Sequence, residues 1–280
     1  MAMKKVLAIF TFVLMCGAIL CACQSTNSPH NAHEHTYEYG QYDIGHFIRY
    51  TCGCPSPLAL VEHSDADENG ICDVCSFEYD LVFKLTYDKE GYAVDRVGPG
   101  YKGGDIVIPS NYNGLPVVEI GYGAFKSEYM LTSVIIPDTV TLISDDAFEN
   151  QISLTSINVG ESVVTIGVSA FEGCTKLKTV VISDATEYIY SAAFKGCTSL
   201  ASVTLGNQIK EITGSVFENC TSLKTITIPA SIEKMGAWVF YDTNITDIYF
   251  GVSAPSADWN EKWAEGLNED VNIHWAEAEE

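Results

Sequence analysis

Four cysteines and a histidine between residues 37 and 80 have the types and spacing to hold a metal. Cys52-Gly-Cys54 is followed by His63 and then by Cys72-Asp-Val-Cys75. Zinc takes four soft ligands in a tetrahedron, and a C-x-x-C pair is a common half-site. Cys52, Cys54, Cys72 and Cys75 are therefore candidate zinc ligands, with His63 as an alternative donor. Two disulfides are the competing chemistry. A bridge inside C-x-C is strained, so the pairs would have to run across the two motifs. A segment of about 45 residues buries too little apolar surface to hold itself together, so a metal or disulfide staple is expected here.

Asp65-x-Asp67-x-Asn69-Gly70, inside the same segment, resembles the opening of an EF-hand calcium loop. The twelfth position is Ser76 where a bidentate Glu is needed, so an Asx-rich turn that presents Cys72 and Cys75 is the better reading. A third cluster, Cys16, Cys21 and Cys23, lies at the end of an apolar run over residues 6–23 that follows Lys4 and Lys5. A basic start and a short apolar run read as a secretory signal. Leu20-Cys21-Ala22-Cys23 resembles the bacterial lipobox, which implies cleavage before Cys23 and acylation of that residue. Acyl chains hold a soluble domain at a membrane without a protein span, at about 0.8 kcal/mol per buried methylene. Residues 1–22 are then the signal and 23–36 a polar tether, in which His30, His33 and His35 read as solvated side chains.

Charge narrows the partners. The 280 residues carry 15 Lys+Arg against 37 Asp+Glu, a formal charge of −22 that becomes −24 once the signal and its two lysines are removed. Such a balance excludes an electrostatic grip on nucleic acid. No constellation for catalysis stands out. Gly167-Val-Ser169-Ala-Phe171 lacks the second Gly of a nucleophile elbow, and the Gly-rich stretch at 98–104 has no Gly-Lys-Ser/Thr to cradle phosphate. His274 stands alone. Asp145 and Asp146 read as the cap of a helical turn after Ser144. An enzyme is not expected.

The remaining cysteines, Cys174, Cys197 and Cys220, are spaced by 23 residues, and this period runs through the second half of the chain. Phe125, Phe148, Phe171, Phe194, Phe217 and Phe240 keep it without exception. Eight residues before each Phe stands Val117, Val140, Val163, Thr186, Ile209 or Ile232; five before stands Ile, or Met235 in the last unit. Leu131, Leu154, Leu177, Leu200 and Leu223 follow at +6, and aliphatic residues at +9 and +11 alternate like a strand with one buried face. The cysteines at +3 fall in an inward column, which makes them small buried hydrophobes. No unit can bury its Phe and Leu alone, so neighbours must stack.

The pattern L-x-x-V-x-I-P followed by I-G-x-x-A-F-x-x-C, plainest in residues 166–182, resembles the BspA-type leucine-rich repeats of bacterial surface proteins. The resemblance implies a mixed α/β repeat, a right-handed solenoid of 23-residue coils, preceded by the small Cys/His-rich unit at 37–80. It divides the rest into an N-terminal cap at 81–116, six repeats at 117–251 and a C-terminal cap at 252–280, where Trp259 and Trp263 seal the last coil, a reading favoured over Trp259 as a sugar-stacking platform. It further implies an adhesion module for a host or bacterial surface protein or glycan, which the lipobox at Cys23 would make lipid-anchored and extracytoplasmic. The expected binding face is the outward side of the strands, with Ser156, Asn158, Thr179, Ser202, Thr204, Thr225, Thr227 and Tyr249. Two other roles stay open at this point: a metal-binding module built on Cys52 to Cys75 with the repeats as scaffold, and a passive envelope spacer.

Overall fold

The computed structural model describes residues 80–126 and 130–277, and the backbone of four strands nearer the N-terminus. Those strands, β1 (Ile19–Cys21), β2 (His33–Tyr42), β3 (Gly45–Cys52) and β4 (Val61–Glu62), form an antiparallel sheet in chain order, a compact unit of its own. Cys52 ends β3; Cys23, Cys54, His63, Cys72 and Cys75 lie outside the described residues.

The second unit is the solenoid. It opens with a hairpin, β5 (Leu81–Leu85) and β6 (Tyr92–Val97). Then follow β7 (Gly104–Val107), the short β8 (Asn111–Tyr112) and β9 (Leu115–Ile120). From there each coil contributes one longer strand and one of two residues. The longer ones are β10 (Leu131–Ile135), β12 (Ser156–Val159), β14 (Thr179–Ile182), β16 (Ser202–Thr204), β18 (Thr225–Ile228) and β20 (Asp247–Phe250), with β21 (Asn272–His274) closing the end. With β7 they make eight parallel rungs in two sheets, one of five strands and one of three. The two-residue strands are β11 (Leu142–Ile143), β13 (Thr165–Ile166), β15 (Tyr188–Ile189), β17 (Glu211–Ile212) and β19 (Lys234–Met235). They continue from β5, β6 and β9 into a sheet of nine strands that includes β8.

The hairpin of β5 and β6 is legible in the alternation at 83–94, but the two-residue strands of this sheet are not, because two residues hold no alternation to read. Its register is nonetheless regular: Ile120, Ile143, Ile166, Ile189, Ile212 and Met235 pair in sequence, all buried. The core lies between the two sheets. The six Phe rings are fully buried and stack face to face at 4.9, 5.0, 5.2, 5.8 and 5.9 Å, with interplanar angles of 8° or less. Thr186, the one polar residue in its aliphatic column, donates to the Val163 carbonyl at 2.7 Å and so is buried without loss.

The expected mixed α/β repeat needs correction: among the described residues there is no α-helix. The segment around each Phe is a turn, for a reason set by two positions. Asp146, Ser169, Ala192, Ser215 and Trp238, two residues before a Phe, have φ between 53° and 60°, and Asn150, Gly173, Gly196, Asn219 and Asp242, two after it, have φ between 54° and 72°. Two left-handed residues four apart cannot lie in a right-handed helix. The amides bond instead to the next coil: Phe148 N–H to Ala170 O, Phe171 N–H to Ala193 O, Phe194 N–H to Val216 O. Asp145 and Asp146 accordingly cap no helix. Asp145 Oδ1 accepts from Val168 N–H at 2.7 Å on the following coil, and Asp146 accepts from Lys126 at 2.9 Å on the preceding one.

The cysteine column has a function within this stack. Cys174, Cys197 and Cys220 are free and fully buried, and their thiols donate to the carbonyls of Phe148, Phe171 and Phe194 at 3.2, 3.2 and 3.1 Å. Gln151 occupies the same column one coil earlier and donates through Nε2 to the Phe125 carbonyl. These four coils thus each satisfy a buried oxygen of the preceding one, whereas Thr243 in the last coil donates to the Phe240 carbonyl of its own coil. Burial pushes the Cys220 thiol up to about 12 and the Cys197 thiol well above its ordinary range. Thiolate is the reactive form, so Cys197 and Cys220 are poor nucleophiles in the folded protein, and Cys174 is shielded by its complete burial. Peptide-resolved alkylation is expected to modify all three at least ~100-fold more slowly in the native protein than in urea, because opening of the stack must come first. Equal rates in the two states would show that the column is not closed.

At the C-terminal end Phe250 is enclosed by Trp259, Trp263 and Trp275, with ring centroids 5.4, 5.4 and 4.4 Å away. Trp259 is buried in this cluster and seals the last coil.

Candidate functional site

Along each longer strand alternate side chains enter the core, and the others form the outward face. The hydroxyl column runs through Ser156, Thr179 and Ser202, aligned by direct pairing, and continues with Thr225 next to Asp247. Two residues further along each strand a second column runs through Ile135, Asn158, Val181 and Thr204, then Thr227 and Tyr249. All eight residues expected to form the face are exposed, Tyr249 by 43%. Their neighbours Val107, Ile135 and Val181 are half exposed or close to it, which adds an apolar element to the hydroxyls.

Charge is distributed unevenly over this face. The outward residues of β12, β14, β16 and β18 are Ser156, Asn158, Thr179, Val181, Ser202, Thr204, Thr225 and Thr227, without a carboxylate, in a chain with 37 of them. Lys178 and Lys224, both exposed, directly precede β14 and β18. These lysines went unremarked in the sequence because a single Lys per coil, in two coils of six, makes no pattern until the coils are stacked. Carboxylates stand at the two ends of the face. Asp105 on β7 accepts from Thr132 and Ser133 at 2.7 Å each, and these bonds hold its carboxyl below the usual range. Asp247 on β20 is held low chiefly by His274 Nε2 at 3.0 Å, with Asn272 Nδ2 at 3.2 Å also bonded to it. The His274 imidazole stacks on Tyr249 at 4.3 Å and 7°. His274 therefore has a place in the end of the face, with no nucleophile beside it.

The face can therefore present hydroxyls, an amide and β-branched methyls on a rigid surface ruled at about 4.8 Å per rung. It is flat and lightly charged. Among the described residues no group of three or more His, Cys, Asp or Glu could hold a metal, and no helix is long and apolar enough to cross a membrane. The zinc and lipid sites inferred from Cys52, Cys54, Cys72, Cys75, His63 and Cys23 concern residues whose side chains are not described.

Residues 118–251 match the family described as the BspA type leucine rich repeat region, in six copies. No curated protein matches the chain. Among solved structures, a Treponema pallidum leucine rich repeat protein is 26% identical, with 67% of this chain and 71% of that one covered and a TM-score of 0.46. A leucine rich cell surface protein of Faecalibacterium prausnitzii is also 26% identical, over 66% of this chain and 56% of that one, with a TM-score of 0.48. The pneumococcal vaccine antigen PcpA is 20% identical over 64% and 51%, with a TM-score of 0.48. Six stacked coils of 23 residues, an unbroken Phe column and this match agree: residues 118–251 are six BspA-type leucine-rich repeats.

Proposed function

We propose that this chain is a non-enzymatic binding protein of the bacterial surface, held at the membrane by acyl chains on Cys23, whose long-strand face engages a partner protein. The observation that carries the reading is the outward face itself. Four adjacent rungs display hydroxyls, Asn158 and Val181 without a carboxylate, although the chain as a whole is strongly acidic. Elsewhere the net charge keeps the protein soluble and repels other copies of itself; on this face a partner can approach without desolvating acids. The strands are fixed by the stack beneath them, so the surface is preorganised and little side-chain entropy is lost from short Ser and Thr side chains on binding.

The test is a binding screen of the full chain against extracellular-matrix proteins and intact cells. Saturable binding is expected, and the combined substitution Thr204→Lys, Thr227→Lys and Tyr249→Lys is expected to weaken it at least about tenfold, since bulky charges at a desolvated contact are strongly unfavourable. All three sites are exposed, so the thermal transition should stay within a few degrees of the parent. Binding that survives the triple substitution, or no saturable binding to any protein, would overturn the proposal.

A further inference from the structure

A second surface differs from the flat face in being concave and rich in chemistry. On the side of the two-residue strands, at the last coil, a cleft of about 300 Å³ is lined by Glu211, Thr213, Lys234, Asp258, Trp259 and Asn260. Strands β17 and β19 supply Glu211 and Lys234, which are register partners. The C-terminal cap supplies the other wall, fixed by a hydrogen bond from Asn260 N–H to Met235 O at 2.8 Å. Trp259 lines the cleft, is 7% exposed, and its indole N–H has no partner.

Next to the cleft the regularity of the coils fails at one residue. The left-handed position two before each Phe is filled by Gly123, Asp146, Ser169, Ala192 and Ser215, all small or short and polar. In the sixth coil it is Trp238, at φ 57° and 41% exposed. A bulky side chain is unfavourable in this conformation, and the burial that would compensate it is incomplete. Trp238 lies two residues beyond Gly236, a part of the cleft wall, and its N–H donates at 2.9 Å to the carbonyl of Lys262, two residues beyond Asn260. The Lys262 ammonium lies 5.8 Å from the ring centroid. Tyr241 follows on the same turn, 38% exposed. A strained, exposed aromatic beside a polar cleft marks a recognition site better than it marks a structural one.

The lining selects the ligand class. Glu211 and Asp258 accept hydrogen bonds, Lys234 donates, and Thr213 and Asn260 do both. An anion would meet two carboxylates in a chain of charge −22, and an apolar molecule would leave five polar groups unpaired. A neutral molecule with several adjacent hydroxyls satisfies donors and acceptors together, and its C–H face suits an aromatic ring. The volume stands at the small end of ligand sites, enough for one or two rings. From the cleft, its mixed donors and acceptors and the strained Trp238 beside it, we propose that the last coil and C-terminal cap bind a neutral pyranoside, the exposed end of a glycan.

Fluorescence titration of the full chain with methyl glycosides of glucose, galactose, mannose and N-acetylglucosamine tests this. Saturable binding of at least one is expected. It should weaken at least about tenfold in Trp238→Gly, which removes the platform and relieves the left-handed strain, and in Asp258→Ala, which removes an exposed acceptor. Trp238→Gly should leave the thermal transition level or raise it, whereas a residue that only pins the cap would lower it. Tyr249→Lys, on the opposite sheet, should not alter sugar binding, so failure of the protein-binding face and failure of the cleft are separable. The proposal is overturned by no saturable binding to the four glycosides, by binding unaffected in Trp238→Gly and Asp258→Ala, or by binding confined to sialic or uronic acids.

Discussion

Replacing Phe194 by Ala is expected to destabilise the solenoid by about 3–5 kcal/mol, the range for removing a buried aromatic ring whose surroundings cannot collapse. Phe194 stacks on Phe171 at 5.2 Å and on Phe217 at 5.8 Å and has no exposed surface. The backbone around it cannot close the cavity, because its amide is bonded to Val216 and its carbonyl accepts the Cys220 thiol. Coils on either side lose a ring contact at once. A stacked array behaves as a chain of nearest-neighbour terms, so a weak central coil should also broaden urea unfolding or split it in two. Phe125→Ala, at the start of the column with a single Phe neighbour, should have a smaller effect. Urea titration followed by far-UV circular dichroism decides the matter. A loss under about 1 kcal/mol for Phe194→Ala, or equal losses at the two sites, would mean that the stack does not carry the stability assigned to it.

Gly206→Ala is expected to be the most damaging single methyl that can be added. A Cβ at this position would lie 2.0 Å from the Ser183 carbonyl oxygen and 2.9 Å from the Asp184 Cα, both backbone atoms of the preceding coil. Rotating a side chain cannot relieve that contact, so the two coils must separate. Overpacking of a core usually costs about 1–3 kcal/mol, and a backbone clash belongs at or above the top of that range. In a domain of this size each kcal/mol lowers the Tm by about 2–4 °C, so a fall of about 6–12 °C is expected. Gly160, in the same column two coils earlier, is the internal control. Its added Cβ would meet the Ile136 methyl at 3.2 Å and backbone oxygens only at 3.4 Å. Gly160→Ala should lower the Tm by a few degrees at most. Calorimetry showing equal shifts for the two variants would refute the close approach at Gly206.

The column holding these glycines illustrates what a linear reading can and cannot see. Pro137, Gly160, Ser183, Gly206 and Pro229 share one position in successive coils, and their variation looks like weak constraint. Stacked, the same residues alternate, so that a coil without a side chain faces one with a side chain. The cysteine column shows the reverse case. Its burial was legible from spacing alone, whereas its hydrogen bonds to the Phe carbonyls depend on a neighbouring coil being displaced by one rung. The α part of the expected repeat fails because the clearest sign against it, a left-handed residue on each side of Phe, is carried by Gly only at 123, 173 and 196, and elsewhere by Asp, Ser, Ala, Asn and Trp. Those other residues do not announce a positive φ as Gly does.

The candidate sites divide along the same line. Ser156, Thr179 and Ser202 could be named as a face from period and alternation, since a strand's outward residues follow once its inward ones are known. Lys178, Lys224 and the absence of acids between Asp105 and Asp247 took the stacked rungs to become a surface property. The cleft at Glu211, Lys234 and Asp258 has no periodic signature at all. Its walls come from two coils and the cap, 49 residues apart at the extremes.

By itself, the sequence determined the 23-residue period, the identity of the buried columns and the stacking of the coils, because an apolar residue repeated at a fixed interval can be buried only against its own copies. The tertiary structure alone decided how each coil closes, which backbone groups bond across coils, and where polar residues from distant coils meet. These depend on φ at a few unremarkable residues and on contacts between neighbouring rungs, and neither is written in the order of residues along one strand.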